Sequence, residues 1–444
     1  MCQLFVAVPL LATPCQDINA HSQRWMLQGT GSDCCVFPDV LGFFEGLGNT
    51  RQLLAADYMQ KFHVVSRAEY KGSSVCLRHG GRAHRSHESG QWQWASPECA
   101  IPAVDLDVAG LPCTDFSSAG LRMAEQGPTI LVHLAWARKM LHEQPALILH
   151  ENVPLYPAQL LQQHLGAIYN LYTFLVSPSD AGFTLQSRRR QHTMLVHKTK
   201  AILTHDPYET YAMLRATLQR TTTSPANALL ATPDDVRAEA MHICAGRGLQ
   251  PPQTGTDSLE YLLNARELGA LRLYSAMWRS RFGTVPEEVP WCLFFLGDNP
   301  SKRATWSANT SMPSQRLNGG LLWSPRLRRM VTGKERLAAM GFPSFPRLAA
   351  AAGVPELDAL SPAEATRACG NAMHVASVGL MLLVLLSCTS PRLEQPPPWG
   401  IVDPSAQARD MKHIIVIGAT CSGAVAGCMC SACSAQRFHD SICQ

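Results

Sequence analysis

Charged residues are scarce in this chain of 444 residues, and no apolar run reaches the length of a membrane span. Only 16% of the residues are charged while 46% are hydrophobic, which excludes a chain that is disordered throughout. No Lys or Arg precedes Arg24, so the basic region of a secretory signal is missing. The apolar run 375–388 is shorter than the ~20 residues that a spanning helix needs. We therefore expect an intracellular protein, nuclear if eukaryotic, that makes no membrane contact and buries 375–388 as a helix.

A strong excess of one charge sign is also absent, because 38 Lys and Arg against 34 Asp and Glu leave a net charge of +4. This balance excludes a histone-like tail but allows a local basic face for an acidic partner. The 16 cysteines are scattered among apolar segments and do not form the dense framework of a small secreted fold. We interpret them as mainly reduced thiols.

A weak pattern of metal ligands lies between residues 76 and 99. Its Cys-x2-His and His-x2-His spacings could serve zinc, but no Cys-x2-Cys pair anchors it. A polar loop is therefore the preferred interpretation, and we predict no metal site. The residues concerned are Cys76, His79, His84, His87 and Cys99.

Beyond residue 103 the chain alternates between short apolar and amphipathic segments. The pattern predicts strands at 104–109, 146–150 and 172–176, with helices at 129–143 and 157–165. Such an alternation is typical of an α/β sheet covered by helices. Parallel strands bring their carboxyl ends to one edge of such a sheet, which is where ligands bind.

The region 200–325 is different, because longer helical stretches predominate. The main one is predicted at 258–281, with Asp257 as its N-cap. The window 301–336 holds eight Lys or Arg residues and one acidic residue, a balance of +7. Such a concentration suits phosphate neutralisation, although a solvated charged face is the alternative.

The tail 391–444 begins with a Pro-rich linker and is predicted to lie outside the main fold. Its segment 415–423 imitates a dinucleotide-binding turn, but the sequence leaves no room for the strand and helix that would complete the unit. We assign no role to this segment or to the nearby Cys428, Cys430 and Cys433.

One cysteine and one glutamate stand where the predicted sheet would place reactive groups. Cys113 follows the first strand on a loop opened by Gly110 and Pro112, a position that suits a nucleophile. A buried structural thiol is the alternative. Glu151 ends the next strand, so that a parallel sheet would bring it beside Cys113.

Farther along, Gln186, Arg188 and Arg190 recur at two-residue spacing. An extended segment would point all three to one face. A solvated basic hairpin is the alternative for these residues taken by themselves.

In this order, the motifs resemble the cytosine-C5 DNA methyltransferase family. That family has Pro-Cys with Phe-Ser shortly after, then Glu-Asn-Val, Gln-x-Arg-x-Arg, Glu with Gly-Phe-Pro, and Gly-Asn-Ala. The resemblance covers about 104–200 and 326–387, and it implies a Rossmann-like sheet of the S-adenosylmethionine-dependent methyltransferase type with an inserted smaller target-recognition domain. The matching residues are Pro112, Cys113, Phe116, Ser117, Glu151, Asn152, Val153, Gln186, Arg188, Arg190, Thr332, Glu335, Gly341, Phe342, Pro343, Gly370, Asn371 and Ala372.

The resemblance implies a role for each catalytic residue. The thiolate of Cys113 would add to C6 of cytosine and make C5 enamine-like. Glu151 would hold a proton at N3 and so stabilise the charge that develops on the ring. Arg188 and Arg190 would orient the base and favour the thiolate through their positive field. The family reaches its target base by flipping it out of the duplex.

The methyl donor implied by the resemblance is S-adenosylmethionine. The family holds it on a Phe-x-Gly-x-Gly turn, with an acidic residue farther on and the closing Gly-Asn-Ala motif. An ordinary helix end at Gly46–Gly48 is the alternative for the turn. The residues that the resemblance assigns to the donor are Phe44, Gly46, Gly48, Glu69, Pro112, Asn371 and Ala372.

These expectations divide the chain into a catalytic domain at 1–200, a target-recognition region at 201–325, a return to the catalytic domain at 326–390, and the tail at 391–444. The expected partner is DNA, while transfer RNA, or nucleic-acid binding without catalysis, are the alternatives. Oligomeric state is not indicated. The predicted nucleic-acid contacts are Arg326, Arg328 and Arg329.

Overall fold

The computed structural model describes residues 15–16, 35–37, 39–78, 83–85, 92–94, 98–101, 103–117, 120, 122–219, 223–252, 258–302, 306, 311–315, 321–357, 360–392 and 414–418. These residues form two compact units. The first, called the sheet unit here, takes its described residues from Val6–Leu175, Arg190–Tyr211 and Met381–Gln444. The second unit takes most of its residues from Val176–Arg189 and Ala212–Leu380.

Helices and strands alternate along the chain. The strands are β1 Cys15–Gln16, β2 Val36–Phe37, β3 Phe44–Glu45, β4 Glu69–Tyr70, β5 Ser73–Val75, β6 Ala83–Arg85, β7 Trp92–Trp94, β8 Glu98–Ala100, β9 Leu106–Gly110, β10 Leu147–Asn152, β11 Tyr169–Val176, β12 Arg190–His197, β13 Ala201–Leu203, β14 Phe294–Phe295, β15 Leu322–Ser324, β16 Arg329–Met330, β17 Thr389–Pro391 and β18 Ile414–Gly418. The α-helices are α1 Thr50–Ala55, α2 Tyr58–Arg67, α3 Ile130–Glu143, α4 Ala158–Leu165, α5 Pro207–Leu218, α6 Pro233–Arg247, α7 Ala265–Phe282, α8 Gly333–Ala339, α9 Pro346–Ala352, α10 Pro362–Asn371 and α11 Val375–Ser387. Short 3-10 helices lie at Val40–Phe43, Ala124–Gln126, Pro178–Ala181, Pro225–Asn227, Glu260–Leu262 and Pro286–Glu288.

A seven-stranded sheet in the order β11-β12-β10-β9-β18-β1-β2 forms the centre of the sheet unit. Strands β10, β9, β18, β1 and β2 run parallel to one another, whereas β12 is antiparallel to β10. The sheet is therefore mixed, and the carboxyl ends of its parallel strands meet at one edge. The expected α/β fold is confirmed.

Apolar side chains on α3 and on the central strands form the core of the sheet unit. Burial runs along most of α3 and includes Trp136, while β9 and β10 are buried along their whole length. A strand that is buried on both faces consists mostly of apolar residues, which is why the apolar runs predict strands at 104–109 and 146–150, close to β9 and β10. Helix α3 ends where Gln144 adopts a left-handed conformation.

The tail contributes a strand to this sheet. Strand β18 lies between β9 and β1, and its Ile414 to Gly418 pair in register with Leu106 to Gly110. The expectation that 391–444 lies outside the main fold is therefore wrong for this segment. The expectation failed because a buried parallel strand needs only about five apolar residues and a neighbouring strand to pair with. Such a short segment can belong to the sheet even when it follows a Pro-rich linker.

The second unit is mainly helical, and its longest helix begins later than expected. Helix α7 starts after Asn264, whose side chain accepts the N–H of Glu267 while the Glu267 carboxylate accepts the N–H of Asn264. This reciprocal cap fixes the start at 265, so the predicted start at 258 is wrong. The predicted N-cap Asp257 lies outside the described residues.

Within the described part of the chain, the stretch Pro362–Ser387 is long and apolar enough to cross a membrane by length and composition. It comprises α10 and α11, and 61% of its most apolar window is buried inside the protein. Core helices pass the same test, so this is weak support for a membrane span. The expected buried helix at 375–388 is confirmed as α11, whose Met381, Val384 and Leu385 are fully buried.

Candidate active site

Cys113 lies on the loop that follows strand β9, three residues after Gly110. In the parallel register of β9 and β10, Gly110 is paired with Glu151. The next residue, Asn152, donates a hydrogen bond from Nδ2 to the carbonyl oxygen of Leu111 at 3.4 Å. The structure thus brings the Cys113 loop and Glu151 to the same edge of the sheet.

The loop folds into a tight turn that leaves the thiol partly exposed. The carbonyl oxygen of Cys113 accepts hydrogen bonds from the N–H groups of Phe116 at 3.1 Å and Ser117 at 2.8 Å. Pro112 is buried, Cys113 is half-buried, and its thiol is not in a disulfide. Such partial exposure is what a nucleophilic cysteine requires.

Glu151 forms an ion pair across the sheet with the first residue of β12. Its Oε1 lies 3.2 Å from Nε of Arg190, and both side chains are largely buried, at 8% and 18% exposed. Opposite charges hold each other in place when solvent is mostly excluded. The carboxylate and the guanidinium are therefore fixed side by side at the edge of the sheet.

Two buried histidines beside this pair were missed by sequence reasoning. His192 is the cross-strand partner of Glu151, and burial, with repulsion from Arg190, lowers the pKa of His192 to about 3. Burial likewise lowers the pKa of His150, the residue before Glu151, to about 3. Both rings are neutral at physiological pH. The alternation of side chains along a strand, two residues on from Arg190, was the signal that could have identified His192.

Asp115 anchors the segment that follows Cys113, and it was also missed. Its Oδ2 accepts hydrogen bonds from the N–H and the hydroxyl of Thr129, at 2.8 and 2.5 Å, just before α3 begins. Gly127 packs directly on this carboxylate, and a Cβ there would lie 2.0 Å from Cγ of Asp115. Lys61 donates to the carbonyl oxygen of Gly127 at 3.0 Å. The Cys113 loop is thereby joined to the start of a core helix.

In the second unit, Gln186 and Arg188 are buried while Ser187 and Arg189 are exposed. The expected alternation is therefore present. Gln186 lies in a bridge with Met312, and the N–H of Ser187 donates to the carbonyl oxygen of Met312 at 2.9 Å.

Arg188 contacts the Gly-Asn-Ala motif within the same unit. Its Nη2 donates a hydrogen bond to the carbonyl oxygen of Ala372 at 2.8 Å. The preceding Asn371 is the last residue of α10 and is 6% exposed, and its Nδ2 has no hydrogen-bond partner among the described residues. A buried amide of this kind is a candidate ligand contact.

The predicted donor turn lies away from the central sheet. Phe44 and Glu45 form β3, which pairs only with β4 in a separate two-stranded sheet among the described strands, with Glu45 opposite Glu69. Gly46 and Gly48 follow with φ of +82° and +69°, a conformation that favours glycine. The structure thus brings the turn near Glu69, but it does not place the turn at the end of a strand of the seven-stranded sheet.

The Glu335 motif is structural in this chain. Thr332 caps α8 by accepting the N–H of Glu335 at 3.2 Å, and the fully buried Glu335 accepts two hydrogen bonds of 2.8 Å from Arg329. The N–H of Ala231 also donates to Glu335, at 3.0 Å. The carboxylate is thus satisfied by the backbone and by one arginine.

The basic window 301–336 is consequently not one exposed face. The side chain of Arg329 is only 11% exposed and is engaged by Glu335, a position that does not favour the expected phosphate contact. Arg336 is buried as well. Arg326 and Arg328 do lie at the surface, with Arg328 at 3.8 Å from Glu260.

The cysteines of the weak metal pattern are not on a polar loop. Cys76 is fully buried, and Cys99 is partly buried within β8. His79 and His87 lie outside the described residues, and only the backbone of His84 is described. The polar-loop interpretation is therefore wrong for the two cysteines.

A family model and several solved structures are similar to this chain. The chain is similar to the structure of Dnmt2 methyltransferase from S. pombe, with 15% identity, a TM-score of 0.37, and coverage of 64% of this chain and 77% of that one. It is also similar to the methyltransferase EhMeth of Entamoeba histolytica, with 12% identity, a TM-score of 0.35, and coverage of 84% and 97%. A search of curated protein sequences finds no match. The model of the C-5 cytosine-specific DNA methylase family matches residues 40–376, most of the chain, and the chain therefore belongs to that family.

Proposed function

We propose that this protein transfers a methyl group from S-adenosylmethionine to C5 of cytosine in DNA through a covalent adduct with Cys113. Family membership makes the chain a methyltransferase. The observation that supports the finer proposal is the pairing of Gly110 with Glu151, which brings the Cys113 loop beside a carboxylate held at 3.2 Å by Arg190.

The chemistry assigns each of these groups a task. Cytosine C5 is too weak a nucleophile by itself, so the thiolate of Cys113 forms a bond to C6 and pushes an electron pair toward C5. Glu151 holds a proton at N3, which offsets the negative charge that grows on the ring. Once C5 carries the methyl group, a base removes the C5 proton, the bond between sulfur and C6 breaks, and Cys113 is released as a thiolate.

The donor, when bound, supplies a methyl group that its sulfonium makes electrophilic. The carboxyl ends of β9 and β18 fit such a ligand, because Gly110 and Gly418 are register partners there and neither adds a side chain. The next glycine-flanked stretch of the sequence, 419–423, lies outside the described part of the chain. We favour the carboxyl ends of β9 and β18 as the donor site, ahead of Gly46 and Gly48, because β18 is the neighbour of the strand that leads to Cys113.

The donor site is tested by ultraviolet crosslinking of S-adenosylmethionine labelled in its methyl group, followed by peptide mapping. We expect the label in the peptide that contains Gly418. Label in the peptide that spans Gly46 to Glu69 would instead place the donor at Gly46 and Gly48. The substitution Glu69→Ala, at an exposed position, should leave the affinity for S-adenosylmethionine unchanged if the donor lies at the carboxyl ends of β9 and β18. Calorimetry measures this affinity.

The covalent step is tested with DNA that contains 5-fluorocytosine, whose C5 fluorine cannot leave as a proton does. A complex that survives denaturation should accumulate with the parent protein plus donor. It should be absent in Cys113→Ser and should persist in Cys388→Ser, the matched control at a buried thiol of the same unit. Retention of the complex in Cys113→Ser would refute the assignment.

Transfer RNA is the alternative substrate, and loss of catalysis with retained nucleic-acid binding is a second alternative. The region between Arg190 and Arg326 is long enough for a separate groove-reading module, which favours duplex DNA. Methylation assays with duplex DNA and with transfer RNA at matched salt distinguish the two polymers. Faster methylation of transfer RNA would overturn the choice of DNA.

A further inference from the structure

Three cysteines of the sheet unit converge on one point away from Cys113. The Sγ atoms of Cys35, Cys76 and Cys99 all lie within 4.8 Å of one another. None of the three is in a disulfide, Cys76 is fully buried, and the other two are half-buried. Sequence spacing concealed this cluster, because Cys35 is 41 positions before Cys76 and falls outside the 76–99 pattern.

Backbone pairing fixes the three segments that carry these thiols. Cys35 precedes β2, Cys76 follows β5, and Cys99 is the middle residue of β8. Strands β5 and β8 pair with Ser74 opposite Cys99, and the N–H of Leu77 donates to the carbonyl oxygen of Val36 at 2.7 Å. The thiols are therefore brought together by the fold itself and not by flexible side chains.

Three clustered thiols are the ligand set of a soft, tetrahedral metal ion. Zinc binds thiolates at ~2.3 Å, which places the sulfur atoms of a tetrahedral site about 3.8 Å apart, within reach of small rotations from the observed spacing. A divalent cation would offset the mutual repulsion of the thiolates.

We propose that Cys35, Cys76 and Cys99 form a structural zinc site. Binding exchanges three S–H protons for three Zn–S bonds and releases those protons to solvent. The metal joins β2 of the central sheet to the small sheet of β5 and β8, and so stabilises this part of the sheet unit. The site is independent of methyl transfer, since none of its ligands lies on the Cys113 loop.

A structural zinc site has four ligands, and the sequence offers one for the remaining position. His79 follows Cys76 at the Cys-x2-His spacing. Its placement lies outside the described residues, so His79→Ala is included below as a separate arm and not as part of the proposal.

The first experiment needs no substitution. The full-length protein is alkylated with iodoacetamide, with bound zinc and after chelation, and the labelled cysteines are mapped by mass spectrometry. We expect zinc to protect Cys35, Cys76 and Cys99 and to leave labelling of Cys113 unchanged. Identical labelling in both states, or protection confined to the tail cysteines, would overturn the proposal.

The second experiment counts the metal and identifies its ligands. Elemental analysis should find one zinc per chain, and Co²⁺ exchanged into the protein should show sulfur-to-metal charge transfer. Cys35→Ser, Cys76→Ser and Cys99→Ser should each lose this absorption, whereas Cys244→Ser, at a buried thiol of the second unit, should keep it. A retained band in the triple variant, or a mass deficit showing a disulfide between two of the three, would refute the site. Loss of metal in the His79→Ala variant would identify His79 as the fourth ligand.

Discussion

The guanidinium of Arg188 donates a hydrogen bond to the carbonyl oxygen of Ala372 at 2.8 Å, across 184 positions of the chain. Arg188 belongs to the Gln-x-Arg-x-Arg motif and Ala372 to the Gly-Asn-Ala motif. One buried charged donor thus ties together two motifs of the second unit that the sequence presents separately.

Replacing Arg188 should destabilise the fold. Arg188→Met removes a charged hydrogen bond in a buried setting, and we expect a loss of about 2 kcal/mol in the free energy of unfolding, measured by denaturant titration. Arg189→Met, at the exposed neighbouring position, is the matched control and should lose less than about 0.5 kcal/mol. Equal losses in both variants would contradict the role of the Ala372 contact.

Glu151→Gln should lower turnover by orders of magnitude with little change in affinity for the polymer. The amide can still contact Arg190, but it cannot hold the proton at N3 that the proposed mechanism requires during thiolate addition. Single-turnover methylation and equilibrium binding measure the two effects separately. Glu209→Gln, at an exposed site on α5, should leave both unchanged. A matching loss of affinity in Glu151→Gln would assign that residue a structural role.

The arginines of the basic window should separate into two classes. Arg326→Ala with Arg328→Ala should weaken binding to all sequences alike and reduce the slope of log affinity against log salt by about 0.9 for each phosphate contact. The fold should be unaffected, since both side chains are at the surface. An unchanged slope would show that these two arginines form a solvated face.

Arg329→Ala should behave differently, because it leaves the carboxylate of Glu335 buried without its bidentate partner. We expect the free energy of unfolding to fall by about 3 kcal/mol. The salt slope of nucleic-acid binding should not change. A stable variant with a reduced slope would restore Arg329 as a phosphate contact.

Gly127→Ala should destabilise the segment after Cys113, because the new Cβ would lie 2.0 Å from Cγ of Asp115. A loss of about 1–3 kcal/mol is expected from such overpacking. Gly269→Ala is the control, since it lies in α7 with no atom within 4 Å of its Cβ position. That variant should gain about 0.5–1 kcal/mol from helix propensity. Thermal unfolding of both variants against the parent decides the point.

The stability of the protein should depend on pH through Asp107. Burial raises the pKa of this carboxyl group from 3.8 to about 7 in the folded protein. Between these values the unfolded chain loses the proton while the folded chain keeps it, so stability falls as pH rises from about 4 to about 7, by at most ~1.4 kcal/mol per pH unit. Asp107→Asn should remove this dependence, and its Oδ1 can still accept the Trp136 indole N–H. If the free energy of unfolding changed with pH by the same amount in the parent and in Asp107→Asn, the assignment to Asp107 would be contradicted.

Local patterns correctly predicted that the Cys113 loop and Glu151 lie at the same edge of the sheet. The apolar runs that became β9 and β10 each carry their motif residues at the carboxyl end, so a parallel register sufficed to bring Glu151 beside the Cys113 loop. Two-residue alternation likewise predicted that Gln186 and Arg188 would share a face, and the structure shows that this face is buried. These features depend on neighbouring residues, which a sequence displays directly.

Features that depend on distant pairing could not be predicted. A count of charges treats Arg329 as an exposed cation. The count does not show that the carboxylate of Glu335, in the first turn of α8, accepts two hydrogen bonds from the Arg329 side chain. The thiol of Cys35 lies near that of Cys76 only because the backbone of β2 pairs with the residues that follow β5. The place of Ile414–Gly418 in the sheet depends on a vacancy between β9 and β1, which no local pattern reveals.

The position of β18 between β9 and β1 has a consequence for how the protein is made. While the chain is still emerging from the ribosome, β9 and β1 each present a bare edge of backbone N–H and C=O groups toward the space that Ile414–Gly418 will occupy. Exposed strand edges of this kind can pair with other chains, so we expect a polypeptide that ends before residue 414 to aggregate more readily than one that contains Ile414–Gly418. The strand that leads to Cys113 is therefore enclosed on both sides only after residues 414–418 have been made, because β18 covers one of its two edges.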